Sequence, residues 1–160
     1  MGWYNEIRWL HVLSAASWFG EVITINFVLV PALAKLSELE RSHFIAAVFP
    51  RIFRLASVLS LSTVTSGAGL FLLRFGTDWR AVWHTQFSAA LAIGAVLGLL
   101  LTTFHFVIEP RLSKLIYAAK ADGNLAATEL IHARLRVIPR AGLGVLTAIV
   151  LFMMVGARGI

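Results

Sequence analysis

The sequence predicts an all-α integral membrane protein: a four-helix bundle made of two like-oriented two-helix repeats, forming one transmembrane domain over residues 1–160. Three observations predict it. Hydrophobic residues make up 59% of the chain and charged ones only 14%, with a mean hydropathy of +0.83, which leaves too little polar surface to cover a soluble domain. Four segments each offer the roughly 20 apolar residues that carry a helix across a hydrocarbon core about 30 Å thick. Finally, a stretch at the end of the first segment recurs in register at the end of the third, as a duplication would leave it.

The first span runs from Trp9 to Leu33. Ahead of it, Met1-Gly2-Trp3-Tyr4-Asn5-Glu6 has neither a basic start nor a small-residue cleavage site, so no removable signal peptide is read and this helix is expected to stay. The loop from Lys35 to Arg54 mixes Glu38, Glu40, Arg41 and Arg51 with Leu36, Leu39, Phe44, Ile45, Val48, Phe49 and Phe53, which reads as an amphipathic surface helix or a continuation of the second span. That span covers Arg54 to Leu73. The third, Trp83 to Ile108, is the clearest, because Phe87 to Phe104 carries no charge; the fourth covers Ala141 to Ala157. Backbone groups in lipid must be satisfied within a segment, and the short alternating segments of a membrane barrel are missing, so helices are expected throughout.

Charge fixes the expected orientation. Lys35, Arg41, Arg51 and Arg54 lie between spans one and two, and Arg111, Lys114, Lys120, Arg134, Arg136 and Arg140 between three and four, against only Arg8, Arg74, Arg80 and Arg158 on the other side. The positive-inside rule puts both long loops in the cytoplasm and both termini outside the inner (plasma) membrane. Trp3, Trp9, Trp79 and Trp83 fall on that outer side, at the level amphipathic rings prefer. A net charge of +6 spread over the ends of apolar runs is not the one-faced stripe of a nucleic-acid binder.

The repeat aligns Asn26-Phe27-Val28-Leu29-Val30-Pro31-Ala32-Leu33-Ala34-Lys35-Leu36 with His105-Phe106-Val107-Ile108-Glu109-Pro110-Arg111-Leu112-Ser113-Lys114-Leu115. A second match, Glu40 to Arg51 against Glu129 to Arg140, brings the Pro-Arg pairs into register and divides the chain into halves of about 1–78 and 79–160. Two like-oriented halves imply a pseudo-two-fold axis along the membrane normal. The prolines are expected to mark bends where helices leave the bilayer.

Chemistry would rest on few residues. Glu21 stands near the middle of span one, where an ionisable group costs about 2.5–3.5 kcal/mol on insertion scales, so it is a functional candidate expected to face the bundle interior. Its expected neighbours are the hydroxyls of span two, chiefly Ser62, Thr63 and Ser66, which would form a proton or ion site with it; a protonated glutamate bonded for packing alone is the bland alternative. His11 lies a turn inside span one, Trp18 follows on nearly the same face, and His84 opens span three on the same side. Ala15, Ala16, Gly20, Gly67, Gly69, Gly94 and Gly98 would keep the bundle open beside them. Such a bundle can hold haem b, with His11 as axial ligand, His84 as the second, and Arg8, Arg74 and Arg80 as propionate partners. His105 and Glu109, four apart, could form a second metal site near the other surface. His43 and His132 read as solvated connector residues. No phosphate loop, nucleophile triad or zinc-protease motif is present.

Leu10-His11-Val12-Leu13-Ser14-Ala15-Ala16-Ser17-Trp18-Phe19-Gly20 resembles the opening helix of the copper-resistance D (CopD) family and the related HemJ family, both small membrane bundles. That resemblance covers about the first quarter of the chain and implies that His11 and Trp18 belong to a cofactor site, with haem-dependent oxidation of a porphyrin precursor or copper transport as the family activities. Copper transport fits poorly with a chain of no cysteine and three methionines, since Cu(I) prefers sulfur. The later part, with Phe49-Pro50-Arg51-Ile52-Phe53 and Phe106-Val107-Ile108-Glu109-Pro110-Arg111, is similar to a widespread family of uncharacterised four-helix membrane proteins. The expected function is therefore a haem b protein of electron transfer or redox chemistry. Two other readings stand beside it: a proton-coupled transporter of a metal ion or small solute through Glu21, and an accessory subunit of a membrane complex. The implied partners are the lipid bilayer, a redox partner or larger membrane complex, or further copies of the chain, and no nucleic acid.

Overall fold

The computed structural model describes residues 2–158; the side chain of Trp79, expected at the outer interface, lies outside what is described, as does Met1. Helix α1 (Gly2–Thr24) passes through a single π-helical turn (Ile25–Leu29) into the short α2 (Val30–Leu33). After a four-residue link come α3 (Glu38–Phe75), α4 (Trp79–Trp83), α5 (Gln86–Ala121) and α6 (Leu125–Ala157). Four helices, α1 with its continuation, α3, α5 and α6, are long and apolar enough to cross a bilayer, so the chain is an integral membrane protein in contact with lipid.

Each helix end has a local cause. The side chain of Ser37 accepts from Glu40 N–H while Glu40 Oε2 accepts from Ser37 N–H at 3.0 Å, a reciprocal cap that starts α3. Thr85 and Ser88 repeat the device at the start of α5. Asp78 and Asn124 cap α4 and α6 through their side-chain oxygens. Gly76 and Gly123, at φ 56° and 58°, end α3 and α5 in a backbone region that other residues avoid.

Of the two readings of Lys35 to Arg54, the second holds: from Glu38 the segment is the start of α3 and continuous with span two. Pro50, Pro110 and Pro139 lie inside α3, α5 and α6, which continue through them. Only Pro31 adjoins a change of helix type, just after the π turn. A proline leaves the carbonyl four residues before it without its helical donor, a loss that is tolerated where other helices pack around it. Asn26 Nδ2 donates to the carbonyl of Pro139 itself at 3.0 Å, which ties the π turn to α6.

At 38 residues, α3 is about 57 Å long at 1.5 Å per residue, well over a hydrocarbon thickness. The helices run on past the apolar spans read from sequence at the end that carries the 34–37 and 122–124 links, called here the connector end. Its core is the best buried part of the molecule: Leu33, Ile45, Phe49, Ile116, Ile131 and Leu135 pack together with Leu112 and Ala119. The middle of the bundle is thinner, with Trp18, Val22 and Leu146 at its centre and Phe19, Leu59, Leu101, Leu143 and Ile149 around them.

Candidate functional site

Helix α1 turns one stripe to the bundle axis. Ser14, Trp18, Val22 and Ile25 are buried there, spaced four, four and three apart as helix geometry demands. Ser17, Glu21 and Thr24 each precede one of these residues, and so sit about 100° away around the helix. Their face looks into a groove against α3. The cavity there measures about 500 Å³ and is lined by Ser17, Glu21, Thr24, Ile25, Leu29, Ile52, Leu55 and Leu59. Ser17, Thr24 and Leu55 are exposed on its rim, Leu55 to 50%. Glu21 therefore does not face the bundle interior as expected; Trp18 and Val22 hold that place.

Both carboxylate oxygens of Glu21 are buried and have no hydrogen-bond partner. The hydroxyls assigned to them by sequence do not reach. Helices α1 and α3 are antiparallel, so ten residues further along α1, from His11 to Glu21, correspond to ten residues back along α3, from Gly67 to about Ser57. Glu21 thus meets Leu55 and Leu59, while Ser62, Thr63 and Ser66 lie towards the other surface. Those hydroxyls bond their own helix: Thr63 Oγ1 donates to the Leu59 carbonyl at 2.8 Å, and Ser66 Oγ to the Ser62 carbonyl at 2.5 Å. Ser62 contributes that carbonyl.

One turn beyond Glu21 the chain adopts the π turn, which supplies Ile25 and Leu29 to the groove. Single π turns inside α-helices are frequent at functional sites. Asn26 in this turn donates to the Val22 carbonyl at 2.8 Å and to the Pro139 carbonyl of α6 at 3.0 Å, so the turn is tied to α6.

His11 belongs to a second cluster nearer the termini. Its Nδ1–H donates to the Thr63 carbonyl at 2.9 Å, with Ser66 Oγ at 3.4 Å. That bond assigns the proton to Nδ1 and leaves the Nε2 lone pair free, the tautomer a metal-bound imidazole requires. The room that Gly67 was expected to leave is taken by the imidazole itself: a Cβ on Gly67 would lie 2.8 Å from His11 Cε1. Met153 fills the corresponding space at Gly94 in the same way. Trp18 is core packing, not a cavity wall. His84, Arg8, Arg74 and Arg80 are exposed, with the Arg74 guanidinium 5.5 Å from the centre of the Phe75 ring. His84 is the C-cap of α4 and no part of the His11 cluster.

His105 and Glu109 are likewise bonded elsewhere. Ser57 Oγ donates to the Phe53 carbonyl at 2.9 Å, so His105 Nε2–H is the donor in its 3.0 Å bond to Ser57. Glu109 Oε1 accepts from Ser113 at 3.4 Å. Among the described residues no three His, Asp or Glu side chains come together as metal ligands.

At the connector end, His43 is solvated as expected but His132 is not: it is 1% exposed, and neither ring nitrogen has a hydrogen-bond partner. Glu129 Oε1 stands 3.6 Å from its Nδ1, and Glu129 Oε2 accepts from Arg41 at 2.5 Å. Arg41 also donates to the Leu33 and Leu36 carbonyls, at 3.1 and 3.2 Å. Burial holds the His132 pKa below its ordinary value; Arg41 and Arg136 push the same way and Glu129 opposes them. The sequence signal was present: Thr128, Ile131, His132 and Leu135 share one helical stripe, and all are buried.

Neither a curated protein nor a solved structure matches this chain. A family match covers residues 13–121, which takes in every residue lining the Glu21 groove and leaves out His11 and α6. The chain belongs to the family described as a domain of unknown function, DUF4149.

Proposed function

We propose that the protein is a membrane carrier that exchanges protons for a small lipophilic organic cation at Glu21. The observation that carries this reading is the pair of buried, unpartnered carboxylate oxygens in an apolar groove at mid-span. A carboxyl without a partner in hydrocarbon takes up a proton rather than stay charged, and it gives the proton up when a cation arrives. An ammonium group suits the place: its donors can be shared between the two oxygens and the Ser17 hydroxyl, while an apolar body rests on Ile25, Leu29, Ile52, Leu55 and Leu59. A bare metal ion suits it less, since hard cations collect six or more oxygen ligands and the groove lining offers one carboxylate and two hydroxyls.

The exposed rim favours entry from within the bilayer. Proteoliposomes loaded with a pH-sensitive dye and given ethidium as the cation should show coupled proton release, and Glu21→Gln should reduce it at least about tenfold, the cost of one lost charge-assisted contact at the low end. Equal coupled flux in the variant would end this reading.

The tautomer of His11 favours a second reading, a haem b protein with electron-transfer or redox chemistry, working with a redox partner or a larger membrane complex. Thr63 orients His11 so that Nε2 could take iron, with Arg8, Arg74 and Arg80 at the same end for propionates. Haem would have to lie outside the packed Gly67 contact. Reduced α and β absorption bands that vanish in His11→Ala would favour it; a colourless purified protein would remove it.

The arrangement as two like-oriented repeats has support in two cross-links. Asn26 and His105 occupy equivalent positions in the repeat, and each reaches the long helix of the other half, Asn26 to Pro139 of α6 and His105 to Ser57 of α3. The excess of Lys and Arg at the connector end supports a cytoplasmic location for that end and outside termini in the plasma membrane.

A further inference from the structure

A second cavity, of about 270 Å³, lies between α5 and α6 and is lined by Ile108, Arg111, Leu112, Arg134 and Ile138. We propose that it binds the headgroup of an anionic phospholipid, with the phosphate between Arg111 and Arg134. Three features point to this occupant. Arg111 and Arg134 come from different helices to one cavity, are exposed, and have no ion-pair partner among the described residues. Two forked cations facing one space suit a phosphate, which accepts several charge-assisted hydrogen bonds at once. The rest of the lining is apolar: Ile108 and Leu112 from α5 and Ile138 from α6 give an acyl chain or glycerol carbon a surface that a free inorganic anion has no use for.

The level in the membrane agrees. Ile108 is the last residue of the third span, and Ile138 lies three residues before the fourth. Both arginines are about a turn further out, at the depth where phosphates of the connector-side leaflet lie. The site is independent of Glu21, whose groove lies between α1 and α3.

Native mass spectrometry of the full chain released from nanodiscs of mixed phosphatidylglycerol and phosphatidylcholine tests it. Phosphatidylglycerol should be retained preferentially, and Arg111→Gln with Arg134→Gln should weaken that retention by roughly 30-fold, at about 1 kcal/mol per basic residue near the surface. Arg51→Gln with Arg140→Gln removes the same charge from the same end outside the cavity and should leave the preference in place. Circular dichroism checks that both double variants are folded. Equal retention of the two lipids, or equal loss in both double variants, would overturn the proposal. So would displacement of the lipid by millimolar inorganic phosphate or glycerol phosphate, which would make this a site for a water-soluble anion.

Discussion

The connector end and the middle of the bundle are built from the same helices, yet they are held by different forces. At the connector end Phe49 is wholly buried, with Ile45, Ile116 and Leu135 nearly so, as is usual where water drives apolar side chains together. In the middle, the buried apolar cluster shrinks to Trp18, Val22 and Leu146, beside small and hydroxyl residues such as Ser60, Ala90 and Thr102, and close contacts come from glycines lying under His11 and Met153. Lipid is as apolar as leucine, so helix association there depends on fit and on hydrogen bonds. One chain thus carries a water-type core and a lipid-type core, end to end along the same four helices.

The sharpest test compares the two largest buried aromatics. Phe49→Ala should cost about 3–5 kcal/mol, as large-to-small changes in aqueous cores do. Trp18→Ala should cost clearly less despite the larger side chain, because lipid-exposed and packed states differ little in transfer energy. Thermal unfolding in matched detergent measures both, and equal losses would break the distinction.

A smaller effect is expected at Gly67. Adding one methyl pushes His11 away from Thr63, so Gly67→Ala should cost about 1–3 kcal/mol, with a matching change in the His11 imidazole resonances. Gly98→Ala, with open space around the new methyl, should be near neutral on the same scale.

The smallest effect concerns pH. His132 has its pKa lowered in the fold, so as pH falls below about 6.5, its ordinary value, the unfolded chain binds a proton that the folded one resists, and stability drops. Above that pH the group is neutral in both states and contributes no slope. Replacing it in His132→Leu should flatten stability between about pH 6.5 and pH 5, read from unfolding midpoints in that window. A slope unchanged in the variant would assign it to other groups.

Much of the fold was legible because long apolar runs and charged links are one-dimensional signals. The four spans follow from residue type and spacing, and the first half of the connector from its mix of charged and apolar residues. The continuous helices through Pro50, Pro110 and Pro139 were not legible, because the propensity of proline is local and its tolerance depends on what packs beside it. The site was legible in part. Glu21 was identifiable from depth alone, but its face was not, although the stripe Ser14, Trp18 and Val22 already indicated the axis side. The hydroxyls of α3 were assigned to the wrong partner because composition carries no axial register. His132 was misread because a histidine in a charged segment looks solvated until its neighbours Ile131 and Leu135 are counted on the same face.

The π turn at Ile25–Leu29 acts as a phase joint in the first span. It accommodates one residue more than an α-helix would use over that length. Were the same residues wound as regular α-helix instead, the extra one would rotate everything before it by about 100° relative to α2 and the connector end. The stripe of Trp18 and Val22 would leave the axis and the face of Glu21 would swing round with it. The angular position of the carboxylate is therefore fixed by a backbone feature a full turn away, and deleting one residue from that turn, which restores regular α-helix, would leave the groove aimed as it is.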